Sequence, residues 1–346
     1  MTTPAYAADT RAGEPLLEVR DLSVIFQRQG EKPFTAVDAV SFEVRPGQTV
    51  GLVGESGSGK SVTSLAIMGL LPARGNTVTG SATFEGTDLL TLSTKDLRDR
   101  RGRDLGMIFQ DPLSSLNPVV PIGIQVTEVL ERHKGMSRKA AMPKAREMLE
   151  KVGIPDPQRR LKDYPHQLSG GMRQRALIAM ALACEPRVLI ADEPTTALDV
   201  TIQAQILALL KDLVRDSGTA LIMITHDLGV VAGLCDEVNV MYGGRIVERG
   251  LRHDLFAAPR HPYTHGLLGS IPRLDGARGE PLHPIPGSVA DNLPWAHACA
   301  FAPRCSQPIP ICREETPRFV QDGPMALRCH NPVGAPGSRD AVEVTP

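Results

Sequence analysis

Residues Gly54 to Ser61 read G-E-S-G-S-G-K-S, the spacing G-x-x-x-x-G-K-S. Glycines at these intervals let successive backbone N–H groups turn inward around phosphate oxygens without Cβ clashes. Lys60 is placed to reach the β and γ phosphates of a nucleotide, and the Ser61 hydroxyl to ligate Mg²⁺. The candidate cradle is therefore Gly54, Ser56, Gly57, Ser58, Gly59, Lys60, Ser61 and Val62. A second stretch, "VLIADE", ends in Asp192 and Glu193. Acids at the carboxyl end of a buried parallel strand lie where open α/β sheets bind ligands. Asp192 can hold Mg²⁺ through water, and Glu193 can orient or deprotonate an attacking water, a role worth roughly 10² to 10⁴ in rate. Ser169, Gly170 and Gly171 precede a helical pattern and offer a second anion site. The plain alternatives are a chance glycine turn and acids that merely end a strand. The joint occurrence of the two motifs, and the pattern on either side of the first, argue against them.

That pattern supplies the elements that must position these residues. "TVGLVG" is a dense apolar run suited to a buried parallel strand, and "SVTSLAIMGLL" after it has helical spacing. "RVLIADE" and "TALIMITHD" are two more buried strands, separated by a helix that should end at Gly218. Such alternation predicts an α/β fold with a parallel sheet. Ahead of it, "LLEVRDLSVIF" and "AVDAVSFEV" alternate like paired antiparallel strands. From about residue 111 to 184 the chain reads as helices with no buried strand between them, a helical insertion. The expected organisation is a flexible arm over 1–14, a nucleotide-binding domain over 15–258, a proline-rich, cysteine-bearing C-terminal domain over 259–332 and a loose tail over 333–346.

"YPHQLSGGMRQR", just ahead of "VLIADEPTTALD", resembles the signature motif of ATP-binding cassette (ABC) ATPases. The resemblance covers the core almost end to end. It implies a P-loop NTPase core with an antiparallel β subdomain and a helical insertion, hydrolysing ATP with Mg²⁺. It also implies a head-to-tail pair of domains, with each ATP between one chain's phosphate loop and the other's signature. Carried over position by position, Gln110 in "MIFQDP" matches the loop glutamine that touches Mg²⁺ and the lytic water. His226 in "ITHD" matches the switch histidine at the γ-phosphate, and Asp199 in "TALD" the loop acid at the dimer seam. Phe26 stands where the family has an aromatic stacked on adenine, with Phe34 nearby and a core role open for either ring.

Three further stretches, "QDPLSSLNPVVPIGIQ", "HPYTHGLLGSIP" and "CAFAPRC", resemble the ATPases of oligopeptide and dipeptide importers. The partners implied are two transmembrane permeases, a second ABC ATPase as a heterodimer, and an extracytoplasmic substrate-binding protein. Residues Asp111 to about Leu130 would receive the permease. Cys299, Cys305, Cys312 and Cys329 are spaced C-x5-C-x6-C-x16-C, wider than the paired knuckles of most structural zinc sites. In the resembling importers such a constellation is associated with a structural [4Fe-4S] cluster; zinc and uncoordinated thiols remain the alternatives. Cys184 and Cys235 lie in apolar contexts and read as core residues.

Composition sets the bounds on these readings. The chain has 346 residues, 42% of them hydrophobic, and a formal net charge of −1 with no long basic block. A core of full size is affordable, and nucleic acid is not expected as a partner. No apolar run approaches a membrane span, so the chain is expected to be soluble and cytoplasmic; the resemblance to importer ATPases implies that it acts peripherally at the cytoplasmic face of the membrane. The leading function is the ATP-hydrolysing subunit of a peptide importer. The alternatives are an ABC ATPase acting on ribosomes or DNA, against which the near-neutral charge and single cassette speak, and an exporter subunit.

Overall fold

The structure, a computed structural model, describes residues 14–27, 30, 32–196, 198–270, 284–289, 298–323 and 325–334. Nearly all of the expected N-terminal arm, and the tail from residue 335, lie outside them.

Among the described residues, twelve strands form two sheets. In chain order they are β1 (Leu17–Phe26), β2 (Phe34–Val44), β3 (Thr49–Val53), β4 (Asn76–Phe84), β5 (Thr87–Asp88) and β6 (Leu105–Ile108), followed by β7 (Val188–Asp192), β8 (Ala220–Thr225), β9 (Glu237–Tyr242), β10 (Arg245–Leu251), β11 (Val320–Asp322) and β12 (Met325–Leu327). The smaller sheet has the order β2-β1-β4-β5 and is antiparallel, as the alternation in β1 and β2 predicts. Its pattern slips by one residue, since the buried positions of β1 are Leu17 and Val19 but then Leu22 and Val24. A register shift between Val19 and Leu22, with Asp21 at φ 48°, absorbs the slip and returns the apolar side chains to the core face.

The larger sheet has the order β11-β12-β10-β9-β3-β8-β7-β6. Strands β9, β3, β8, β7 and β6 run parallel. Every residue of β3, β7 and β8 is buried, because both faces of the sheet are covered. Alternate side chains enter separate cores. Leu189, Ala191, Leu221 and Met223 join the helices on one face, and Val188, Ile190, Ala220 and Ile222 join the antiparallel sheet on the other.

Helices fill the segment between β6 and β7: Ile122–Lys134, Arg138–Lys151 and Gly170–Leu182 are the longest. Ile122, Val126, Leu149, Ile178 and Leu182 share one core with β7, β8 and the helix Val200–Ser217. That last helix ends at Gly218, whose φ of 68° is the left-handed cap the sequence announces.

The C-terminal segment packs onto the main sheet and its core. Strand β12 pairs antiparallel with β10 and extends the main sheet, while Ala300, Phe301 and Met325 pack into the principal core. Glu248 on β10 is fully buried and accepts the backbone N–H groups of Arg260 (2.6 Å) and His261 (3.1 Å) at the start of helix Pro262–Gly269. Burial pushes its carboxyl up, and the bonds from those N–H groups, with the neighbouring Thr264 hydroxyl, oppose the rise.

Candidate nucleotide-binding site

Strand β3 delivers Gly54 into a loop that ends at the helix Lys60–Ile67. Gly54 has φ 152°, and a Cβ there would lie 2.2 Å from the Met241 carbonyl oxygen of β9. Gly59 has φ 100°, and its Cβ would lie 2.6 Å from the Ala36 carbonyl oxygen. At both positions the backbone passes too close to a neighbouring strand for any side chain. Lys60 is buried and its ammonium donates to the carbonyls of Gly54 (2.7 Å) and Glu55 (2.9 Å) and to Ser58 Oγ (3.3 Å). Burial lowers its pKa, while Glu193, Asp192 and Glu55 hold it up.

Strands β3 and β7 flank β8, so their carboxyl ends open on the same edge of the sheet. Ser61 Oγ donates to Asp192 Oδ1 at 2.9 Å. Burial raises the Asp192 carboxyl, with Glu193 adding to the rise and the Ser61 bond and Lys60 opposing it. A hydroxyl and a carboxylate at this separation form a hard oxygen donor set that suits Mg²⁺. Mg²⁺ would neutralise phosphate charge there.

Glu193 follows at φ 46°, its N–H bonded to the Ile224 carbonyl at 2.8 Å. Its carboxylate is the hub of the site. Oε2 accepts from Gln110 Nε2 at 3.0 Å and Thr196 Oγ1 at 2.8 Å, and Oε1 pairs with His226 Nδ1 at 3.2 Å. Burial raises the Glu193 pKa, but the bonds from Thr196 and His226, with the charges of His226 and Lys60, outweigh it and leave the carboxyl below its usual range. An ionised, half-buried carboxylate held from three sides can take a proton from water.

The structure thus brings together Lys60, Ser61, Gln110, Asp192, Glu193 and His226. It places Ser169, Gly170 and Gly171 elsewhere in character: Ser169 caps the helix Gly170–Leu182 by accepting from the Met172 N–H at 3.3 Å, and Ser169 and Gly170 are exposed. Asp199 is likewise exposed and caps the helix Val200–Ser217 through the Ile202 N–H at 3.0 Å. Phe26 is half-buried at the end of β1, opposite Phe34 of β2. Sequence reasoning missed Thr196, although it stands in the quoted "EPTTALD". It also missed Tyr263 and Arg304, whose contacts with Glu55 cross more than half of the chain.

The iron–sulfur expectation is not supported. Cys299, Cys305, Cys312 and Cys329 line one small cavity, yet among the described residues no group of three or more His, Cys, Asp or Glu side chains could hold a metal ion. Burial raises the Cys299 thiol and pushes Cys329 up to about 12. Cys184 and Cys235 are buried core residues, as expected. Among the described residues no helix is long and apolar enough to cross a membrane.

Residues 37–196 match the ABC transporter family, and residues 247–312 match the C-terminal region of oligopeptide/dipeptide transporters. The chain is 50% identical to the oligopeptide transport ATP-binding protein OppD of Salmonella typhimurium over 94% of its own length and 97% of that protein. It is 55% identical to the dipeptide transport ATP-binding protein DppD of Bacillus subtilis over 86% and 89% of the two chains. Among solved structures, the dimeric structure of the bacterial ABC transporter cassette MJ0796 aligns with a TM-score of 0.61 at 28% identity, covering 68% of this chain and 98% of that one. The chain belongs to the ATP-binding proteins of oligopeptide and dipeptide ABC transporters.

Proposed function

We propose that the chain binds Mg-ATP at the Gly54–Ser61 loop and hydrolyses it to drive import of oligopeptides or dipeptides through partner permeases. The observation that carries this reading is the convergence of Gln110, Thr196 and His226 on the Glu193 carboxylate, beside the Ser61–Asp192 pair. In it, Lys60 and the loop N–H groups from Ser56 to Val62 bind phosphate, and Ser61, Asp192 and Gln110 hold Mg²⁺. Glu193 takes the proton of the attacking water, and His226 positions Glu193 and the γ-phosphate. Phe26 stacks on adenine. The nucleotide-binding unit spans about 15–258, with residues 111–184 as its helical insertion and 259–332 packed against it.

The exposure of Ser169, Gly170 and Asp199 supports a second ABC ATPase facing this edge, in a head-to-tail dimer with a related chain. The permease would meet the surface around Val119, which is 76% exposed. The buried Gln125 holds that loop by bonding the N–H and C=O of Asn117 and the C=O of Val120. The chain would then sit at the cytoplasmic face of the membrane beneath two permeases, fed by an extracytoplasmic binding protein. Iron or zinc at the four C-terminal cysteines takes no part in this reading.

The test is affinity purification of the tagged full-length chain from gently solubilised membranes, followed by ATP-dependent peptide uptake in proteoliposomes. Two permeases, a sister ATPase and uptake are expected. Recovery with ribosomal or DNA-repair proteins and no permease would move the soluble ATPase to the front.

A further inference from the structure

Glu55 is the first residue of the phosphate loop after Gly54, and each of its polar groups is tied down. Its N–H donates to Tyr263 Oη at 2.9 Å, its carbonyl accepts from Lys60 Nζ at 2.9 Å, and its carboxylate accepts a forked pair from Arg304 at 2.6 and 2.9 Å. Arg304 lies 249 positions away, in the turn Ala302–Arg304 of the C-terminal segment. Its side chain is only 3% exposed. The remaining guanidinium donors reach the carbonyls of Pro286 (2.7 Å) and Gly287 (3.0 Å) and Tyr242 Oη (3.5 Å). Five N–H groups thus meet five acceptors, the condition under which a buried arginine is tolerated.

The position of Glu55 gives this pair a meaning beyond fastening the C-terminal segment. A carboxylate beside Lys60 at the mouth of an anion site competes with phosphate for the ammonium and repels the incoming charge. Arg304 neutralises that carboxylate, while Tyr263, from the same C-terminal region, anchors the backbone of the same residue. Phe301, three residues before Arg304, stacks edge-on with Tyr242 at 5.1 Å and tilted on Tyr263 at 5.3 Å, which fixes the clamp as a unit.

We propose that Arg304 is a positioning residue of the ATPase site, which keeps the phosphate loop receptive to nucleotide by neutralising Glu55. The inference rests on the reading of Gly54–Ser61 as the ATP phosphate loop. In the purified transporter, Arg304→Gln raises the KM for ATP about tenfold with kcat within about twofold, because loop binding serves ground and transition states alike. Adding Glu55→Gln removes the exposed charge and returns KM to within about threefold of the wild type, although the double variant has lost more contacts than either single one. A residue that merely staples the tail gives the reverse pattern: melting temperatures fall with each substitution and KM does not recover. A KM for Arg304→Gln within twofold of the wild type, or a double variant as weak as Arg304→Gln, overturns the inference. If Arg304→Gln does not fold, Arg304→Lys carries the test: its single ammonium releases one carboxylate oxygen, KM rises about threefold, and Glu55→Gln reverses it; no rise overturns the proposal. Lys60→Ala is the control for the underlying reading. If it leaves ATP binding intact, the loop assignment has failed and not the clamp.

Discussion

The phosphate loop and the signature stretch both open a helix, and they are furnished in opposite ways. At the loop, Lys60 is buried against the carbonyls of Gly54 and Glu55, Ser61 is bonded to Asp192, and Glu193 is held by Gln110, Thr196 and His226. At the signature, the Ser169 hydroxyl serves its own helix end, Gly171 packs on Ile202 with no room for a Cβ (2.9 Å), and Ser169 and Gly170 face outward. The first region is organised for chemistry on its own; the second offers backbone N–H groups to something beyond the chain. A polar site that stays exposed beside a well-packed one fits the proposed head-to-tail pair, in which each chain would build one half of a site and present the other.

Substitutions at the two regions separate binding from turnover. The largest effect is expected at Lys60→Ala, which removes the buried cation and weakens ATP binding by about 10²-fold or more, read by equilibrium binding of a fluorescent ATP analogue to the full-length chain. Ser169→Arg comes next. It leaves ATP affinity of the chain within about twofold but lowers turnover of the assembled transporter by roughly tenfold or more, because in the proposed head-to-tail dimer the obstruction would fall on the partner's nucleotide. Equal losses of binding in the two variants would erase the distinction between the regions. The smallest effect concerns proton balance. Thr196→Val deletes one of the bonds that hold the Glu193 carboxyl below its usual range. Glu193 works as a carboxylate, active above its pKa and lost as pH falls through it. Its pKa should therefore rise, and the acid limb of the kcat profile should move to higher pH. A limb that stays in place would mean that another group sets it.

Much of this arrangement was legible in the sequence, and its gaps have physical causes. Strands β1, β2, β3, β7 and β8 announce themselves through alternation or unbroken apolar runs. Strand β4, "NTVTGSATF", is largely polar and exposed until Ala82 and Phe84, and β9 carries a fully buried Asn239 that interrupts its run. Strands β11 and β12 have three residues each and exist through pairing with the sheet, which no local pattern encodes. The phosphate loop and the Asp192–Glu193 pair are local motifs and were readable as such. Gln110 and His226 were found through resemblance, since neither residue type alone marks a site. Glu55, Tyr263 and Arg304 gave no local signal because their bonds join residues 208 and 249 positions apart.

The most direct test of the central claim is the fate of ATP on the tagged full-length Glu193→Gln variant within its transporter complex. The substitution keeps the size of the side chain and removes the base. After incubation with Mg-ATP, the variant should retain ATP in unhydrolysed form at this site, with turnover there reduced by roughly 10² to 10⁴. Hydrolysis at this site at the wild-type rate would contradict the assignment of Glu193 as the residue that activates water.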